Sequence, residues 1–188
     1  RHPRSGNQLL VVKDVEDTLS DDQMLQIAQE IGFAESAFVR RADVRIFTTD
    51  QEVPQAGHPV LGLAEVVAEG RDEATLQTKL GPVQVRRSED RWVMRQNPCD
   101  WRPGITAEQL GQVTSAEVIP ASEYTVGSTC GLPYVLVPLP TPEALETAVV
   151  GGTRPLPQDA SIYFYTPISS EGVVRTRMFC WEQGGWLE

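Results

Sequence analysis

Gln55-Ala56-Gly57-His58-Pro59-Val60-Leu61-Gly62-Leu63-Ala64-Glu65-Val66-Val67-Ala68-Glu69 is the stretch whose reading decides the fold. Val60, Leu61, Leu63, Ala64, Val66, Val67 and Ala68 leave almost no polar face, so the segment reads as a helix enclosed by other structure. Pro59 suits the first helical position, where its missing N–H costs nothing. Gly57 lets another group come close to the backbone. The free N–H groups and the dipole at that end make a place for a carboxylate or other anion. A plain glycine turn into a core helix is the alternative, and these residues alone leave both open.

Upstream, Ser20-Asp21-Asp22-Gln23 is a capping box, with Ser20 as N-cap and Gln23 three residues on. Met24, Ile27, Ala28 and Ile31 then fall at helical spacing, and Gly32 stops the helix. Before it, residues 8–12 read as a buried strand led in by a polar loop. A core strand so near the first residue implies a hairpin whose other arm lies upstream. Residues 35–39 and 43–48 are two strands joined by a polar turn.

Downstream of the helix, residues 74–79, 81–87 and 91–95 read as three antiparallel strands, with turns at Gly81-Pro82 and Ser88-Glu89-Asp90. Residues 97–104 are irregular and proline-rich and mark a domain boundary. Two domains follow: 1–100 with its central helix at 59–69, and 101–188. The second opens on another capping box, Thr106-Ala107-Glu108-Gln109. Strands at 121–128 and 133–139, a short helix at 143–149 and strands at 161–166 and 173–179 complete it. The order of capped helix and then strands matches residues 19–47, an internal repeat of mixed α and β structure. On that alignment the second domain never reaches a glycine-headed buried helix. The expectation is an apolar shell left unfilled, in a fragment, a truncated product or a variant that oligomerises to fill the gap.

The chain has 188 residues, 40% of them hydrophobic and 22% charged, which fits a soluble globular protein, and the order of elements above makes its class α+β. A net charge of −10 argues against nucleic acid or an anionic membrane as partner, but not against a small anion held at one helix end. No apolar run approaches a membrane span. Cys99, Cys130 and Cys180 are far apart and odd in number, with no metal-ligand spacing, and fit free thiols in a reducing cytoplasm.

Several ordered motifs together resemble the PhzF-like family, the phenazine-biosynthesis isomerases and their relatives. They are Gly6-Asn7 before Leu9-Leu10-Val11-Val12, Ala34-Glu35-Ser36-Ala37-Phe38-Val39, Arg45-Ile46-Phe47-Thr48, Glu52-Val53-Pro54, Ala56-Gly57-His58-Pro59, residues 131–139 and Arg177-Met178-Phe179. The resemblance implies a diaminopimelate-epimerase-like fold, two pseudo-symmetric domains of antiparallel strands wrapped around a central helix, with two helix N-termini facing across a cleft. It also implies a glutamate–aspartate–proline, threonine–glycine motif at the head of the second helix, of which Glu188 would be the first residue. Ala56 departs from the related epimerases, which carry a cysteine there, so two-thiol racemisation is not expected.

Glu35 is the candidate acid/base. It follows the first helix in an apolar neighbourhood of Ile31, Phe33, Ala34 and Ala37, where partial burial raises the proton affinity of a carboxylate. The resemblance assigns this glutamate as the catalytic base of a cofactor-independent isomerisation. The plain alternative is an exposed strand-end glutamate. Gly57 and His58 are the candidate carboxylate clamp, with His58 able to donate or relay a proton. Asn7 either bonds substrate or shapes its loop, and His2 carries no expectation. The expected partner is a small carboxylic acid, with the chain a homodimer. A truncated, non-catalytic binding or oligomerising relative is the second reading.

Overall fold

The computed structural model describes residues 6–14, 16–152, 156–182 and 185–187; His2 and Glu188 lie outside them. The chain forms two compact units, residues 1–97 and 98–188.

In the first unit the elements are β1 (Leu9–Lys13), α1 (Asp21–Ile31), β2 (Glu35–Arg40), β3 (Asp43–Phe47), β4 (Glu52–Val53), α2 (Gly57–Ala68), β5 (Glu73–Thr78), β6 (Gly81–Ser88) and β7 (Arg91–Met94). The sheet order is β1-β2-β3-β5-β6-β7, with β4 beside β3. Ser20 and Gln23 make both bonds of the capping box, and Gly32 closes α1 at φ 67°. Helix α2 packs against β1, β2, β5, β6 and β7. Val60, Leu63, Ala64 and Ala68 are fully buried, as are Leu76 on β5 and Ile46 on β3. The sheet therefore wraps the helix, as its apolar composition requires. On the side away from the core, Glu65 accepts bonds from Arg87 and Trp92 Nε1.

Not every pairing is antiparallel. β1 and β2 run parallel, because α1 carries the chain back between them, and β3 meets β5 in parallel after α2. A parallel neighbour needs such a crossover. α2 also begins two residues earlier than expected. Pro59 is thus its third residue, still within the turn where an amide has no intrahelical partner.

The second unit comprises β8 (Asp100–Thr106), α3 (Ala107–Gly111), β9 (Glu123–Ser128), β10 (Tyr134–Pro138), α4 (Pro142–Thr147), a 3-10 turn at Pro157–Asp159, β11 (Ser161–Tyr165), β12 (Thr176–Glu182) and β13 (Gly185–Leu187). Its sheet order is β13-β12-β11-β10-β9-β8. β8 corrects the sequence reading, which left 97–104 irregular. Pro103 is tolerated because β8 is an edge strand, and the pairing with β9 shifts register between Arg102 and Ile105. A Cβ on Gly104 would lie 2.7 Å from the Tyr124 carbonyl oxygen, so only glycine fits that bulge.

The internal repeat also lies elsewhere than the capped helices imply. β10 and β11 are parallel around α4, and β12 pairs antiparallel with β11, as β1, β2 and β3 do around α1. In this register Phe38 matches Phe164, Phe47 matches Phe179 and Arg45 matches Arg177. Each phenylalanine pair meets edge to face, at 5.5 and 5.8 Å between centroids, and each arginine lies over its ring. The equivalent of α1 is α4, which has six residues and too little periodicity to announce itself; α3 is an extra turn.

One difference between the repeats follows from the same register. Ala37, Val39 and Ile46 are buried on the face that α2 covers. Their counterparts Tyr163, Tyr165 and Met178 are half-buried or exposed.

Candidate functional site in the first unit

Glu35 is the first residue of β2, three residues beyond the left-handed stop at Gly32. Side chains alternate along a strand, so Glu35 shares a face with Ala37 and Val39, the face toward α2. His58 is the second residue of α2. Its Nε2 lies 3.4 Å from Glu35 Oε2, and the two side chains are 31% and 20% exposed. Among the described residues neither atom has a hydrogen-bond partner, although both are buried. A charge-assisted bond closes to roughly 2.7–2.9 Å. The pair is apposed but not locked, as acid/base groups without substrate often are. Burial raises the Glu35 carboxyl above the ordinary glutamate value, and the charge of His58 offsets part of that rise.

The head of α2 differs from the other α-helices. Ser20, Thr106 and Thr141 cap α1, α3 and α4 with their hydroxyls, whereas the N-cap of α2 is Ala56, which offers no side-chain acceptor. Among the described hydrogen bonds between backbone groups, none uses the amide of Gly57 or His58 as donor. Those amides and the helix dipole are what a carboxylate would meet. Gly57 has no left-handed φ. A Cβ there would sit 3.3 Å from Met94 Cε, so the glycine makes room for that methionine.

Asn7 is exposed and precedes β1 by two residues. Leu9 pairs with Glu35, so Asn7 lies at the same end of the sheet as the glutamate. Among the described hydrogen bonds none joins Asn7 to Glu35 or His58.

Two neighbours were not singled out from the sequence. Gln55 is fully buried just before the head of α2; its Oε1 accepts from Asn97 Nδ2 at 3.2 Å and Thr78 Oγ1 at 3.5 Å, while its Nε2 has no partner. A polar residue in the position where an apolar staple is usual was the available signal. Met94 was readable only from the inward register of β7.

The carboxyl predicts a pH effect on stability. A carboxyl raised in the native state keeps its proton to higher pH than in the unfolded chain, so its contribution is lost as pH rises from the unfolded value through the native one. Asp14, Asp21 and Glu52 are lowered and act in the opposite sense, losing their contribution as pH falls. Glu35→Gln should therefore gain thermal stability relative to the parent between pH 4 and pH 7. Melting curves for both proteins across that window check this, and a constant difference would mean the burial penalty is absent.

A sheet wrapped around an enclosed helix is an epimerase-like α+β fold, and Glu35 and His58 meet at the head of that helix. A family model described as "Phenazine biosynthesis-like protein" matches residues 1–180, and the chain belongs to that family. It is 39% identical over 89 residues to the trans-2,3-dihydro-3-hydroxyanthranilate isomerase of Pseudomonas aeruginosa, covering 43% of this chain and 32% of that enzyme. An uncharacterized isomerase of the same organism is 34% identical over 137 residues, covering 66% of this chain and 52% of its own length. The chain thus spans about half or less of these curated relatives. Among solved structures, a predicted epimerase of Pseudomonas aeruginosa superposes with a TM-score of 0.68 at 28% identity, covering 86% of this chain and 65% of that one. A PhzF-family protein of Bacillus anthracis shares the fold at a TM-score of 0.68 and 22% identity, over 95% of this chain and 68% of its own. No helix among the described residues is long and apolar enough to cross a membrane.

Proposed function

We propose that this chain is part of a cofactor-independent isomerase that moves a proton on a small cyclic or amino-acid-like carboxylic acid. The observation that carries the reading is Glu35 Oε2 facing His58 Nε2, both unpartnered among the described residues, beside helix amides that no described backbone carbonyl takes up. In this reading Gly57 and His58 hold the substrate carboxylate. Glu35 takes a proton from carbon and returns it at another carbon, so the bonding electrons shift along the substrate and no external redox partner is needed. Asn7 closes the loop at the same sheet end. The relatives' isomerase names support the reaction class, and the protein works in the cytoplasm as a homodimer. The test is a screen of small carboxylic acids in heavy water with purified protein, following loss of carbon-bound proton signals by NMR. Exchange into an acid, absent in Glu35→Gln, supports the reading; exchange that survives in the variant removes Glu35 from it.

The second reading, a non-catalytic oligomerising protein, is favoured by the second unit's face of Tyr163, Tyr165 and Met178, the last 40% exposed. It predicts concentration-dependent self-association in sedimentation runs that Met178→Lys removes. A monomeric parent at high concentration would dismiss it.

A further inference from the structure

The strands β5, β6 and β7 present to solvent a face that the proton-transfer reading does not use. Their registers place Glu73 opposite Arg86 and Arg86 opposite Val93, with Thr75 opposite Gln84. Arg95 extends β7 past its last residue, its amide bonded to the Gln84 carbonyl at 3.1 Å. Alternation sends Leu76, Val83 and Val85 inward, where they are buried, and leaves Thr75, Gln84, Arg86 and Arg95 exposed on the other side. These outward residues line a groove of about 680 Å³.

The groove brings two arginines together on an acidic chain. Acidic residues number 26 against 16 Lys and Arg. Arg40, Arg45, Arg87 and Arg102 are all taken up in ion pairs. Among the described residues, Arg86 and Arg95 form no ion pair. Glu73 faces Arg86 across the strands without reaching it, and the nearby Asp72 is engaged by Arg87 instead. Arg86 and Arg95 are diagonal neighbours across β6 and β7, roughly 7–8 Å apart at the backbone. Two arginines at that spacing can close their planar forks on one group of oxygens between them. The Thr75 hydroxyl and the Gln84 amide lie in the same row and can donate to the same oxygens.

We propose that this outward face is a second anion site, holding a small dianion, a phosphoryl or dicarboxylate group, between Arg86 and Arg95. Glu73 sets its threshold. A singly charged ligand gains too little against that carboxylate, whereas a dianion outweighs it. The site shares no residue with the Glu35–His58 pair and stands whether or not that pair moves protons.

The test is a titration of the isotopically labelled full chain with inorganic phosphate, pyrophosphate and citrate at low salt, read by amide chemical shifts. Saturable shifts are expected on residues 73–75, 84–86 and 93–95. Arg86→Gln and Arg95→Gln should each weaken binding about tenfold, as loss of a charge-assisted bond does. Glu73→Gln should tighten it, and Glu35→Gln should leave it unchanged. Binding of the phosphates without citrate assigns a phosphoryl ligand, and the reverse a polycarboxylate. Shifts confined to the head of α2, or equal affinity in the Arg86→Gln/Arg95→Gln double variant, overturn the proposal, as does the absence of saturable shifts. All these positions are exposed, so the variants keep their fold, which an unchanged melting curve verifies.

Discussion

Glu35→Gln is expected to lower proton exchange between an accepted carboxylic acid and heavy water by roughly 10²–10⁴-fold, the usual weight of a positioned general base. The substitution keeps the size of the side chain and its place opposite Leu9 in the β1–β2 register, so the apolar shell around it is unchanged. What it removes is the group able to accept a proton. Burial lifts the carboxyl toward working pH, which makes it a better base than a surface glutamate, and His58 keeps it from rising further. The rate should therefore rise with pH along a limb displaced above the ordinary glutamate range. In His58→Gln that limb should move to still higher pH, because the opposing charge is gone. A rate limb at the ordinary value in the parent would mean that another group titrates. A purely structural glutamate would behave differently, with exchange left intact in Glu35→Gln whatever the melting curve does.

How the site is assembled explains which parts could be read in advance. Helix α1 and its stop depend on neighbours within a few residues, so Ser20, Gln23 and Gly32 announce them. α2 declares itself by composition alone, since Val60, Leu63, Ala64 and Val67 leave nothing to face water. Glu35 and His58 were each legible as candidates, but their 3.4 Å approach depends on the β1–β2 register and on how α2 lies in the sheet. That is tertiary information no local pattern carries. The same holds for the second unit. Two residues of Thr106-Ala107-Glu108-Gln109 make a capping box as good as that of α1, and local chemistry duly produced a helix there. Its place in the topology is nevertheless different, because strand pairing and not capping decides which helix spans a parallel crossover. β8 hid behind Pro103 and Gly104, which usually break strands and here sit at a bulge on an edge. Gln55 was hidden for the opposite reason. A glutamine is ordinarily exposed, and its standing where an apolar staple is usual marks the position as odd without saying that the sheet closes over it.

Leu63→Ala should be the most damaging conservative change in the first unit, costing about 2–5 kcal/mol and lowering its melting temperature by roughly 10–20 °C. Leu63 is fully buried at the centre of α2. The helix touches strands from both ends of the sheet order, so structure lies around it on several sides and cannot easily collapse into the space a lost isobutyl group leaves. Both the transfer term and the cavity term therefore apply in full. The neighbouring Gly62 offers no relief. Leu9 Cδ2 already lies 2.5 Å from where a Cβ would be, so α2 is held against β1 at close range. Glu65→Ala, two residues on, changes only an exposed side chain and its bonds to Arg87 and Trp92, and should cost far less. Hydrogen exchange separates a general loss of stability from a local one. The amides of α2 and of the strands around it should lose protection together in Leu63→Ala, as members of one cooperative unit do. Loss limited to the last turn near Glu69 would instead mean that α2 frays independently of the sheet. The same helix carries His58, so a loosened α2 should also let the imidazole drift from Glu35. On the proposed reading, exchange catalysis would then fall in Leu63→Ala even at temperatures where the unit remains folded, and a saturating carboxylic acid held at the head of α2 should recover part of the lost stability and rate.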